Sequence, residues 1–78
     1  MATTKEDIAG WFREGQQQGA THMIVACDTF DWEDYPVFVM PGEDVREKAA
    51  EHEKVMEVYS LSQDMDAQLN EYRAFHYD

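Results

Sequence analysis

Seventy-eight residues carrying 17 acids against six bases, a net charge of −11, make a chain sized for one domain, near the lower limit for folding without disulfides or metal. With 44% apolar and 13% aromatic residues, the composition is that of a folded globule and not of a disordered segment. So much negative charge excludes DNA, RNA and anionic lipid as direct partners and favours basic protein surfaces or metal ions.

Thr4 followed three residues later by Asp7 reads as a helix cap, with Asp in the place usually held by Glu. Ile8, Trp11, Phe12 and Gly15 then recur at helical spacing on one stripe. A glycine on a packing stripe lets another backbone come close, so Gly15 is expected to seat this helix on a sheet, and Gly19 to stop it. Met23 to Phe30 is rich in β-formers and apolar on successive positions at its start, the pattern of a strand buried on both faces and therefore central. Pro36 to Met40 is a second such run, and Pro36 is expected to begin it or to lie on a sheet edge. The two form a hairpin whose connection is longer than a two-residue turn.

Pro41-Gly42 breaks the chain, and Glu43 and Asp44 are expected in the first turn of a second, surface helix with a thin stripe of Val45, Ala49 and His52. In that helix Glu43, Glu47 and Glu51 form one acidic row, and Asp44 faces Lys48 at favourable spacing. Val55 to Leu61 reads as a third strand, because Val55, Val58 and Tyr59 favour β structure and a lone hairpin is marginal; continuation of the helix is the alternative. Ser60 or Ser62 then caps a last helix carrying Leu61, Met65, Leu69, Tyr72 and Phe75 or His76. The expected fold is α+β, a small three-stranded sheet with helices in the order α-β-β-α-β-α.

Cys27 is the only cysteine, so no internal disulfide forms and a reducing, cytoplasmic setting is expected. The longest apolar run, Met23 to Cys27, is far too short to span a bilayer. His22, His52 and His76 lack the paired short spacing of zinc ligands. There is no nucleophile motif and no glycine-rich phosphate loop, so neither catalysis nor a cofactor is expected. Asp28, Asp31, Glu33 and Asp34 could supply oxygens to Mg²⁺ or Ca²⁺, but they lack the alternation and central glycine of an EF-hand loop.

The stretch Thr29-Phe-Asp-Trp-Glu-Asp-Tyr-Pro36 sets three aromatics among three acids, within a span, Glu14 to Val45, that has no Lys or Arg. In one reading Phe30 and Tyr35 pack inward while the acids solvate a turn. In the other, Trp32 and Tyr35 anchor a basic partner while Asp28, Asp31, Glu33 and Asp34 steer it, with the row Glu43, Glu47 and Glu51 as a supporting surface that imitates nucleic acid.

The blocks from His22 to Lys48, above all Cys-Asp-Thr-Phe-Asp and Glu-Asp-Tyr-Pro, together with Val55 to Tyr77, resemble small proteins of tailed bacteriophages. The resemblance implies a context and no residue roles: a small, acidic, non-enzymatic inhibitor or modulator of a host (defence) protein, acting in the host cytoplasm. The expected function is thus binding to a basic or nucleic-acid-binding site of such a protein. The alternatives are an oligomer that sequesters a nucleotide or other small molecule, and a carboxylate-metal hydrolase. Strands apolar on both faces with only short helices to cover them lead to the further expectation of a homodimer.

Overall fold

In a computed structural model, which describes residues 3–78, the first helix, α1 (Lys5–Gln18), opens on a reciprocal cap. Asp7 N–H donates to the Thr4 hydroxyl at 3.1 Å, and Thr4 N–H donates to the Asp7 carboxylate at 3.0 Å. Gly19 closes it in the left-handed conformation, φ 80°. Ile8, Phe12 and Gly15 form its buried stripe. A Cβ on Gly15 would come within 2.8 Å of Leu61 Cδ1 and 2.9 Å of Phe38 Cε1, so the absent side chain is what lets the helix lie on the sheet.

The sheet holds β1 (His22–Asp28), β2 (Glu33–Val39) and β3 (Val55–Ser60) in the order β2-β1-β3, with both pairings antiparallel. The hydrophobic run of β1 takes the central place because Met23 through Cys27 are buried. Alternation then sorts its side chains. Met23 and Val25 pack with Tyr59, Leu61 and Phe38 beneath Ile8 and Phe12 of α1. Ile24, Val39 and Val58 pack on the other face beneath Val45 and Ala49 of α2 (Val45–Ala50). The last helix, α3 (Met65–Leu69), completes the order α-β-β-α-β-α, and the α+β class is as expected.

Four boundaries differ from expectation, each for a local reason. β1 ends at Asp28, before Phe30, because the chain turns at Thr29. β2 begins at Glu33, so Pro36 lies in mid-strand; β2 is an edge strand, where a missing N–H is tolerated. Asp44 stands outside α2 as its cap, accepting from Arg46 and Glu47 N–H at 2.9 and 3.2 Å, and Glu43 precedes it. Asp64, not Ser60 or Ser62, caps α3, because Ser60 is the end of β3.

That last helix is also short. It stops at Leu69, leaving Tyr72 94% exposed and not on an apolar stripe. The chain beyond it returns to the sheet: Val58 N–H donates to Ala74 C=O at 2.8 Å, and His76 N–H donates to Val58 C=O at 2.9 Å. The buried Gln68 amide continues this closure, accepting from Ser60 N–H and donating to Ser60 C=O, both at 2.9 Å. The outer edge of β3 is therefore largely bonded, whereas β2 has no such neighbour among the described residues. No helix among the described residues is long and apolar enough to cross a membrane.

Candidate functional site at the hairpin tip

The connection between β1 and β2 is Thr29 to Trp32, and carboxylates build it. The Asp28 carboxylate accepts from Phe30 N–H at 2.8 Å, and the Asp28 carbonyl accepts from Trp32 N–H at 2.7 Å. Asp31 repeats the device, accepting from Glu33 N–H at 3.1 Å. Short acidic side chains bonded two residues onward are a standard way to fix a turn. Asp28 and Asp31 are therefore turn-formers first, whatever else their charge does.

What the turn presents is apolar. Phe30 is 94% exposed and Trp32 is 63% exposed, so the inward packing considered for Phe30 does not occur. Trp32 also has φ 60°, the left-handed region, which costs a residue with a Cβ about 1–2 kcal/mol relative to ordinary backbone. Glycine would occupy that position without strain. A large ring held at an unfavourable backbone position and left mostly in solvent does little for folding.

The connection between α2 and β3 braces this tip. Thr29 hydroxyl donates to Glu53 Oε2 at 2.9 Å, Cys27 N–H donates to Lys54 C=O at 2.9 Å, and the Lys54 ammonium lies 5.2 Å from the Trp32 ring centre. Tyr35 meets His52 edge-on, its hydroxyl 3.1 Å from Nδ1. Phe30, His52, Glu53 and Lys54 are thus members of the site that sequence reasoning missed. For Phe30 the signal was available in Asp28, whose turn-forming habit sends the following residues outward. Lys54 and His52 gave none, because strand pairing alone brings them to the tip.

The acids expected to act together are divided. Asp31 and Glu33 flank Trp32, but strand alternation sends Asp34 to the opposite face of the sheet from Glu33 and Tyr35. There Asp34 borders a cleft of about 220 Å³ lined by Ile8, Met56, Glu57, Tyr72 and Arg73. Burial, reinforced by Asp34, pushes the Cys27 thiol up, away from the thiolate form that nucleophilic chemistry uses.

The row expected from Glu43, Glu47 and Glu51 does not form, because α2 spans only Val45–Ala50. Glu43, before the helix, accepts Met40 N–H at 2.8 Å and pairs with Lys48 at 3.1 Å. These contacts hold its carboxyl below the usual carboxylate range, with the backbone N–H the larger cause. Lys48 therefore pairs with Glu43 and not with Asp44, while Glu51 lies past the last turn as the C-cap. Only Glu47 stands on the helix proper.

Among the described residues no three His, Cys, Asp or Glu side chains converge as metal ligands. Each histidine has its own partner: His22 with the Asp78 carbonyl at 2.7 Å, His52 with Tyr35, and His76 with Glu71 at 2.8 Å. No protein family, no curated protein and no solved structure was found to match this chain.

Proposed function

We propose that the protein is a non-enzymatic binding module that docks on a basic protein surface through the β1–β2 hairpin tip. The single observation that carries this reading is Trp32: a mostly exposed indole, in left-handed backbone, between Asp31 and Glu33. Strain at a surface position that the core does not need is a mark of function. Exposed aromatics supply buried contact area at low entropy cost, and nearby carboxylates accelerate encounter with a basic partner. Phe30 joins Trp32 as an anchor, and Asp31 and Glu33 supply the field. Glu47 and Glu51 add only distant charge, so the proposed partner reads a hot spot and not a phosphate-like row.

The resemblance to small bacteriophage proteins supplies the finer part of the proposal: the partner is a host protein, bound in the cytoplasm, whose basic or nucleic-acid-binding site is blocked. A homodimer stays within it on narrower ground. Both faces of β1 are covered inside one chain, which leaves the outer edge of β2 as the route to a second copy. Pro36 and the acids Glu33 and Asp34 oppose pairing there. Sedimentation equilibrium at micromolar concentration tests this element alone, and a 9.1 kDa species removes it.

The main test is affinity capture from a host lysate at low and high salt, with wild type and Trp32→Ala side by side. Capture that weakens with salt and is lost in Trp32→Ala supports the proposal. Capture indifferent to both sinks it. Asp31→Asn with Glu33→Gln keeps the Asp31 acceptor for Glu33 N–H and removes charge, so it should slow association and flatten the salt dependence.

A further inference from the structure

Lys54 stands where a partner's cation would stand. Its backbone is fixed beside the end of β1 by the hydrogen bond from Cys27 N–H. Its ammonium, 5.2 Å from the Trp32 ring centre, lies inside the roughly 6 Å reach of the ring's attraction for positive charge. Like Lys5, Arg13, Arg46 and Arg73, Lys54 has no carboxylate partner among the ion pairs of the described residues; what sets it apart from Arg46 and Arg73, which lie over tyrosine rings, is that its ring is an indole. Glu53, next to Lys54, is engaged by the Thr29 hydroxyl. The ammonium rests on an indole face, and neither Asp31 nor Glu33 at the tip is in an ion pair among the described residues.

We infer that the Trp32 face is a cation platform built to take an arginine side chain of the partner, with Lys54 as the resident occupant that the arginine displaces. This rests on the reading of the hairpin tip as a docking site and names the chemistry that site selects. The exchange runs in arginine's favour for a physical reason. A guanidinium is planar, weakly hydrated and able to stack flat on an indole, whereas an ammonium is a compact charge that holds its water strongly. An incoming lysine gains nothing by replacing a lysine. Lys54 thereby acts as a filter: it repels cations that cannot stack better than itself, the kind of built-in opposition that separates related partners.

The probes are a Gly-Arg repeat peptide and a Gly-Lys repeat peptide of equal length, titrated calorimetrically into the intact protein. The variants are Lys54→Met, Trp32→Ala, their combination, Phe30→Ala, and Lys5→Met, which removes the same charge from an exposed position of α1. Lys54→Met should tighten the Gly-Arg peptide by about two- to fivefold beyond Lys5→Met, the ratio corresponding to one exposed cation–π contact. That gain should vanish in the Trp32→Ala background, as a double-mutant cycle requires of a direct pair. The preference for Gly-Arg over Gly-Lys should shrink in Trp32→Ala. The Trp32 indole N–H resonance, assigned by its disappearance in Trp32→Ala, should shift in Lys54→Met and move again when Gly-Arg peptide is added.

A gain no larger than that of Lys5→Met, or one that survives without Trp32, overturns the inference. If binding in that case still depends on salt and on Phe30, the cation platform falls and the docking site stands. If binding ignores salt, Phe30 and Trp32 alike, both fall.

Discussion

Asp28 to Asp34, leading into β2, and Glu43 to Glu51, which spans α2, are both rich in acids, and in both some of the carboxylates are bonded to the backbone. Asp28 and Asp31 hold the hairpin turn, while Asp44 caps α2 and Glu43 ties Met40 to Lys48. The difference lies in what each arrangement supports. At α2 the capped helix presses Val45 and Ala49 onto Ile24 and Val58, so its acids serve the core. At the hairpin the same kind of bonding holds Phe30 and Trp32 out in solvent. Charge density therefore does not distinguish a binding surface from a solvated one; the apolar groups that the charges position do.

Truncation of those apolar groups gives the largest separation. Val45→Ala removes two buried methyl groups and should cost about 1.5–2 kcal/mol, whereas Phe30→Ala should stay within about 0.5 kcal/mol, as exposed positions do. Urea unfolding of both variants checks this. A Phe30→Ala midpoint as low as that of Val45→Ala would erase the contrast between the two stretches.

The carboxylates come next. Asp44→Ala leaves the Arg46 and Glu47 N–H groups without their acceptor and should cost about 1 kcal/mol. Glu47→Gln, on the exposed side of the same helix, should change stability by less than about 0.5 kcal/mol. Equal effects from the two would show that α2 responds to net charge and not to its cap.

Trp32 sharpens the comparison from the hairpin side. Trp32→Gly and Trp32→Ala both remove the ring, so both should lose partner binding. They should differ in stability, with the glycine variant ahead by about 0.5–1 kcal/mol, because relief of left-handed strain exceeds glycine's entropy cost. Thermal melts that place the alanine variant level or ahead would remove the strain argument for a functional Trp32.

The smallest effect is a pH dependence at α2. The Glu43 carboxyl lies lower in the folded chain than its ordinary value near 4.5, so the unfolded chain binds the proton first as pH falls. Its contribution is present above about pH 4.5 and is lost as pH drops through the folded value. Wild type should therefore melt higher than Glu43→Gln at pH 7, with the gap closing in acid. A gap that widens in acid contradicts the assignment.

Much of the architecture was legible because its signals are local. Thr4 and Asp7 cap each other across one turn, Gly19 supplies the left-handed stop, and the unbroken apolar run of β1 admits only a central strand. Gly15 on the helix stripe announced a close approach to the sheet, although the groups that come close are the side chains of Phe38 and Leu61 and not a backbone. The third strand was legible from its β-branched residues, but the cap of α3 was not. Serines at positions 60 and 62 and the aspartate at 64 are all good caps, and only the length of β3 chooses among them.

By itself the sequence determined the class of fold, the number and order of its elements and the acidity of the surface, since periodicity, capping and composition act over a few residues. Tertiary structure decided which acids stand together. Strand alternation parted Asp34 from Glu33, the early end of α2 broke the row from Glu43 to Glu51, and pairing of β1 with β3 carried Lys54 to the face of Trp32. Those outcomes depend on register and on where an element stops, which are fixed by packing between segments distant in the chain and so leave no mark on any one of them.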